Sequence, residues 1–403
     1  MRITTLIVSI QILLFAFGCS KSEQPNSNTP KLVWKTPLLN GSESFSFNPV
    51  IYKDMVIYGV KYARLDHSEE PSIVAFKKAT GERIWEWKDT KKINESFSAG
   101  WDYYIYQNVF VLSSGPRVYA IDLETGKSLW KTQAPESGIG NIVGVGSKLY
   151  YVQMALNKTK ETLCTADISL GIWKPVYVIQ RDTSLAGGMA KMVVNKEDNG
   201  KNYLYFIKSF VDLNYTRSES HLVKWDTDAD TLVLDKPSPM NEAHSLMAVD
   251  DKFVYLGGQA LIACDKQTGN LQQAYQMPKL SNSSFNSGKC IIKNNKLFAP
   301  TSYPRFICYD INTSSSLWTE DGISTSSPSR LIYHDGVVYY TSGSDGNLHA
   351  IDENGKRYWK FQSPDRKGSG NGIFDDAISI DAAENRVYVS SYYNALCYET
   401  IKK

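Results

Sequence analysis

Beyond residue 31 the chain runs as short apolar stretches, rich in β-branched and aromatic side chains, separated by clusters of Gly, Asn, Asp and Lys. Met55-Val56-Ile57-Tyr58, Val109-Phe110-Val111-Leu112, Phe253-Val254-Tyr255-Leu256, Val337-Val338-Tyr339-Tyr340 and Val387-Tyr388-Val389 are examples. Runs of this kind, bounded by turn formers, predict β-strands. No three-and-four apolar spacing is sustained over ten residues after residue 19, so the pattern predicts an all-β fold.

The strands fall into a repeat. Ala120-Ile121-Asp122-Leu123-Glu124-Thr125-Gly126-Lys127-Ser128-Leu129-Trp130 has the same frame as Ala75-Phe76-Lys77-Lys78-Ala79-Thr80-Gly81-Glu82-Arg83-Ile84-Trp85. The frame returns at Ala263-Cys264-Asp265, Cys308-Tyr309-Asp310 and Ala350-Ile351-Asp352. Thr165-Ala166-Asp167 and Lys224-Trp225-Asp226 are degenerate copies, and Cys397-Tyr398-Glu399 is a truncated one. The Asp position falls at 77, 122, 167, 226, 265, 310, 352 and 399, a period near 45. That spacing predicts one four-stranded propeller blade per copy, hence an eight-bladed β-propeller over 31–403. Residues up to the Asp form the third strand (C) of each blade. Thr-Gly makes a tight turn where Gly supplies positive φ, and the Leu/Ile-Trp pair opens the outer strand (D).

The motif A-x-D-x-x-T-G-x-x-x-W, matched in full by 120–130, resembles the tryptophan-docking motif of the pyrroloquinoline-quinone (PQQ) dehydrogenase-like propeller superfamily. The resemblance implies that the indole docks against the neighbouring blade and girdles the ring. Trp85, Trp130, Trp318 and Trp359 hold this place, whereas Leu234 and Gln273 replace it. The chain ends soon after its last C strand, so blade eight lacks a D strand of its own. Leu32-Val33-Trp34-Lys35 reads like the D-strand entries Leu129-Trp130-Lys131 and Tyr358-Trp359-Lys360. Residues 31–36 are therefore expected to pair with about 394–401, making Trp34 the docking tryptophan of blade eight. An open ring would expose an unpaired strand edge prone to aggregation.

The first residues stand apart. Arg2 precedes an apolar run from Ile3 to Phe17, and Ala16-Phe17-Gly18 precedes Cys19. This resembles a bacterial lipoprotein signal, with Ala16 where Leu is usual. It implies a signal peptide over 1–18, lipidation at Cys19 and a polar tether over 19–30. Ser20 is not the Asp of an inner-membrane retention signal, so the expected location is the bacterial outer membrane, lipid-anchored on its periplasmic or surface face.

Composition adds little drive toward a partner. Charged residues make up 21% and the net charge is +2, which gives no pull toward nucleic acid. Cys164, Cys264, Cys290, Cys308 and Cys397 show no C-x-x-C and no adjacent pair, and read as buried filler. A quinoprotein dehydrogenase would be expected to show a vicinal disulfide, calcium ligands and an Asp base, and no Cys-Cys occurs here. Asp226-Thr227-Asp228-Ala229-Asp230 begins like a calcium loop, but Thr231 stands at the glycine position and Pro237 at the terminal glutamate position. It reads instead as the C–D turn of repeat four. Asp375 and Asp376 are adjacent on a strand and so face opposite sides. His67, His221, His244, His334 and His349 form no metal spacing, and Gly187-Gly188 and Gly257-Gly258 read as strand-edge glycines rather than phosphate loops. No catalytic, metal or cofactor residue is assigned.

Most B–C loops are short, but about 60–71, 154–162 and 211–220 are long and polar. In a propeller the B–C loops share one face with the D–A connections, so all three project together, and long loops on a rigid scaffold often carry binding. The expected function is that of a non-catalytic, outer-membrane-anchored scaffold for other envelope proteins. It resembles the BamB-like lipoproteins of outer-membrane protein assembly, monomeric, membrane-bound through its N-terminal lipid and without nucleic acid. The alternatives are a degenerate PQQ-dependent alcohol or sugar dehydrogenase, or a glycan- or ligand-binding surface lipoprotein using the central channel.

Overall fold

The computed structural model describes residues 29–402 apart from 40–41, 45–46, 64–68, 90–98, 115–116, 133–136, 156–159, 181–184, 213–217, 240–244, 259, 276–284, 286–289, 302–304, 322–328, 343–344 and 368–371. Cys19, the signal segment and most of the tether lie outside the described residues, as do His67 and His244.

Eight antiparallel sheets follow one another along the chain, each built as A-B-C-D, and no helix occurs among the described residues. Blade two is representative, with strands Ala99–Tyr106, Val109–Ser114, Arg117–Asp122 and Ser128–Lys131. Strand A of blade one is split into Ser42–Ser44 and Val50–Tyr52, both paired with strand B, Met55–Ala63.

The Asp of the repeat earns its place at the C–D turn. Asp122, Asp167, Asp226, Asp265 and Asp310 each turn Oδ1 onto main-chain N–H groups two or three residues on, as with Thr125 N at 2.8 Å from Asp122. A short acidic side chain satisfies turn donors in this way without a strand partner. These bonds hold the carboxyls of Asp226 and Asp310 below the usual range, and at Asp265 the Thr268 hydroxyl, followed by the Thr268 main-chain N–H, does the same.

Burial is divided in the same way. Eight apolar clusters lie one at each junction between consecutive blades. Within each blade, alternate residues of the B and C strands serve the two junctions, so these strands are apolar on both faces and read as continuous runs. The free thiols of Cys164, Cys264, Cys290, Cys308 and Cys397 are all buried within these junctions, and burial pushes Cys308 and Cys397 up to about 12.

The ring closes by the expected exchange. Strand D of blade eight is Leu32–Pro37, antiparallel to strand C, Asn394–Glu399, with Trp34 opposite Cys397 and Pro37 opposite Asn394. Trp34, Leu38, Tyr388 and Cys397 then share one cluster with Val56, Tyr58 and Phe76 of blade one. Polar contacts tie the same seam: Lys31 Nζ bonds Glu399 at 2.9 Å, Lys78 Nζ of blade one bonds Asp381 at 2.5 Å, and Lys35 bonds Asp365.

Burial opposes ionisation at Asp365 and Asp381. At Asp365 the bonds from Lys35, Ser391 and Asn394, and at Asp381 those from Lys78 and two main-chain N–H groups, outweigh it and hold both carboxyls below the usual range. A depressed carboxylate stabilises the fold above its unfolded pKa of about 3.9, and this contribution is lost as pH falls through the folded value. Urea midpoints are therefore expected to fall steeply below about pH 4. Asp365→Asn should lower the midpoint at pH 7 and shrink the acid-dependent part. An unchanged acid limb in that variant would remove the seam from the account.

Candidate interaction face

Four of the five predicted docking tryptophans share one geometry. The indole Nε1 of Trp34, Trp85, Trp130 and Trp318 donates to the main-chain oxygen of Lys78 (2.7 Å), Leu123 (3.2 Å), Ile168 (2.7 Å) and Glu353 (2.9 Å), each in the C–D turn of the next blade. Each ring covers that turn's glycine. A Cβ at Gly81, Gly126, Gly171 or Gly355 would stand 2.6–2.9 Å from the indole above it. Trp359 is buried at the seven–eight junction, edge-on to Tyr339.

The substituted positions still reach across their junctions. Leu234 lies 3.3 Å from where a Cβ on Gly269 would be, and Gln273 Nε2 donates to Asn312 O at 3.4 Å. In blade three the register puts Lys174 opposite Thr165, the place a tryptophan takes elsewhere, and its Nζ pairs with Asp230 at 3.2 Å. Lys174 was not legible in the sequence because Ile172-Trp173 reads like the D-strand entry, whereas the register puts Trp173, 43% exposed, opposite Ala166 and leaves the docking place to Lys174.

The long B–C connections differ from expectation. At both ends they are not loops but continued ladders. Strand B of blade one runs to Ala63 and strand C starts at Glu69, so Lys61 pairs with Pro71 and Tyr62 with Glu70. In blade three the ladder extends to Met154 opposite Glu161, between Lys148–Ala155 and Lys160–Asp167. In blade four it extends to Val211 opposite Ser218, between Asn202–Asp212 and Ser218–Asp226. Strand A of blade four, Leu185–Lys196, lengthens with it and pairs out to Asp212. Topology puts all three hairpins on one face, the side away from the C–D turns.

Polar contacts brace the bases of the hairpins on blades three and four. Glu161 is 2% exposed and accepts the Met189 N–H at 2.5 Å across the junction. Gly188, with φ +157, leaves room for this carboxylate: a Cβ there would stand 1.8 Å from Glu161 Oε1 and displace it. On blade four, Asp235 bonds Lys208 and takes His221 Nδ1 at 2.7 Å, while His221 Nε2 meets Glu219 at 2.8 Å. Burial works against the Asp235 carboxylate, but Lys208 and His221 together hold it low. This arrangement orients side chains at the base of the hairpin.

The other acidic and histidine candidates are absorbed by structure. Asp230 is held by Tyr150 Oη at 2.7 Å, and Asp226 by Lys201 at 3.1 Å, so the calcium-like segment spends its carboxylates on turns and junctions. His334 meets Asn385 at 3.0 Å, and the buried His349 meets Asp345 at 3.1 Å. Asp375 and Asp376 lie on strand A of blade eight, at a register irregularity, and their side chains lie outside the described set. Among the described residues no group of three His, Cys, Asp or Glu could hold a metal. The sequence has no adjacent cysteines of the kind expected for a vicinal disulfide at a quinoprotein site.

The family described as outer membrane protein assembly factor BamB matches the chain over 26–136 and 69–361. No curated protein matches it. Among solved structures, the chain is similar to BamB from Moraxella catarrhalis, at 13% identity and TM-score 0.60, covering 92% of this chain and 100% of that one. It is also similar to the quinohemoprotein alcohol dehydrogenase from Comamonas testosteroni, at 12% identity and TM-score 0.65, covering 94% and 78%. The computationally designed Ika8 protein has 15% identity and TM-score 0.63, with 92% and 100% covered. Similarity at these identities establishes a shared fold.

Proposed function

The chain belongs to the outer membrane protein assembly factor BamB family, and from that premise we propose that it is a non-catalytic scaffold that holds other envelope proteins on its hairpin face. In this reading residues 1–18 are a signal peptide, Cys19 carries the lipid, 19–30 is a tether, and 31–403 works as a monomeric propeller at the outer membrane. The observation that carries it is the direction of the three elongated hairpins. The described chain enters strand D of blade eight at the C–D end of the sheet, beside Glu399. A tether leaving there puts the anchor on one side of the disc and the hairpins of blades one, three and four on the other. Such a disc presents its longest projections away from the membrane that holds it. Edge-exposed ladders of this kind offer backbone groups and alternating side chains to a partner.

Shortening 211–220 together with 154–162 to two-residue turns should leave the thermal midpoint within a few degrees while reducing recovery of envelope partners in a pull-down from detergent-solubilised membranes. Equal recovery by the shortened and intact proteins would remove the hairpins from the function. Dye reduction by an alcohol in the presence of PQQ and calcium would assign the chain to the dehydrogenase class instead.

A further inference from the structure

The seven–eight junction differs from its neighbours in a way that creates a site. At the other tryptophan junctions the indole covers an intact C–D turn. In blade eight strand C ends at Glu399 and strand D begins at Leu32, so no turn joins them. Thr400 still takes the first turn position: its N–H donates to Asn385 O at 3.0 Å, as that of Leu123 does to Asn108 O at 2.8 Å. The next residue leaves the pattern, with Ile401 N donating to Tyr339 Oη at 3.0 Å. What remains is an open cleft of about 410 Å³ bordered by Trp359 and the two chain ends. Its size lies within the ~300–1,000 Å³ of ligand sites.

The lining has a clear chemical character. Four cations border the cleft, Lys31, Lys356, Arg357 and Lys402, against one carboxylate, Glu399. Lys31 is spent on Glu399 and Arg357 on Glu320. Lys356 forms no ion pair among the described residues and its Nζ lies 4.8 Å over the Tyr358 ring, while Lys402 stands in the field of Glu399, already shared with Lys31, and adds to the forces that hold that carboxyl low. Trp359 also lines the cleft, and its four counterparts all donate their indole N–H to a turn carbonyl.

We propose that this cleft is a binding site for an acidic, turn-forming peptide segment of another protein. A main-chain carbonyl of the segment accepts the Trp359 N–H, and its carboxylates meet Lys356 and Lys402. The molecule carries the template for such a ligand in its own docking turn, Asp122-Leu123-Glu124-Thr125-Gly126, with two carboxylates and a glycine beneath the indole. The site lies on the C–D side, opposite the hairpins, and does not depend on the function proposed for them.

The test is fluorescence anisotropy of the full chain with a labelled Ala-Ile-Asp-Leu-Glu-Thr-Gly peptide and with its Asn/Gln analogue. The acidic peptide is expected to bind at least about tenfold more tightly than the analogue, the equivalent of one charged hydrogen bond. Lys356→Glu combined with Lys402→Glu should abolish that preference. Both side chains are exposed, so the fold should be undisturbed, with circular dichroism as the check. Trp359→Phe, which keeps a ring but removes the donor, should weaken binding about two- to tenfold. Equal binding of the two peptides, or full binding by the double variant, would overturn the proposal. So would the absence of peptide binding alongside binding to phosphatidylglycerol vesicles that the double variant loses, which would assign the cleft to lipid headgroups.

Discussion

Replacing Trp34 by alanine is expected to cost about 3–5 kcal/mol of folding free energy, the range for emptying a large buried aromatic site. Trp34 is 7% exposed, lies 6.0 Å from the Tyr388 ring, and donates its N–H to Lys78 O. It belongs to the only blade whose strands come from both ends of the chain, so its loss acts on ring closure as well as on one junction. Without it, strand D of blade eight would be held mainly by main-chain bonds, the Lys31–Glu399 ion pair and the buried Leu38 that follows the strand. The opened edge of Asn394–Glu399 is then available to a second molecule. Urea unfolding should show the lower midpoint, and light scattering should show earlier aggregation than for Trp130→Ala, whose indole is only half-buried. Trp34→Phe should recover most of the loss, short of the about 0.5–1.5 kcal/mol of its hydrogen bond. A cost for Trp34→Ala below about 1 kcal/mol would mean that closure does not depend on this side chain.

Gly126→Val should be nearly as damaging, for a different reason. Gly126 has φ +67, a left-handed conformation that costs an L-residue about 1–2 kcal/mol and a β-branched one more. A Cβ there would also stand 2.6 Å from two atoms of the Trp85 ring, so the indole must leave its place and surrender its bond to Leu123 O. Displacing a packed side chain adds about 1–3 kcal/mol. The sum is expected near 3–5 kcal/mol, read from urea midpoints. Gly146 makes a useful control. It also has positive φ, at +56, but a Cβ would meet nothing within 4 Å, so Gly146→Val should show the backbone cost alone. Equal losses at the two positions would mean that the contact with Trp85 contributes nothing.

Much of this architecture was legible because the repeat encodes local and inter-blade requirements in the same residues. Asp122 caps a turn, Gly126 permits its backbone and admits the neighbouring indole, and Trp130 reaches the next blade at Ile168. Three consequences of one fold appear within nine residues of sequence, so the motif could be read without any structure. The degenerate copies were harder. Lys174 replaces an indole by a charge, and only the register opposite Thr165 and the pairing with Asp230 reveal the equivalence. Glu161 likewise looked like one more polar residue of a loop. Its burial depends on Gly188 and Met189 arriving from the next blade.

The hairpins show why their length was misjudged. Strands inside a blade are covered on both faces and so announce themselves as apolar runs. The extensions beyond Val60, Gln153 and Ser209 continue the ladder with mostly polar residues in the sequence. Lys61, Glu69, Glu70, Lys160, Ser218 and Glu219 therefore carry no hydrophobic period, and a paired ladder looks like a polar loop.

By itself the sequence determined the number of blades, the strand order within them and the exchange that closes the ring. Each of these depends on local turn chemistry, on apolar runs, or on a tryptophan matching its repeats. Only the tertiary structure decided which polar residues are buried at junctions, how far the hairpins extend, and that the missing turn of blade eight leaves a basic cleft over Trp359. These depend on what a neighbouring blade or the opposite chain end brings alongside, and no spacing within a single repeat contains that information.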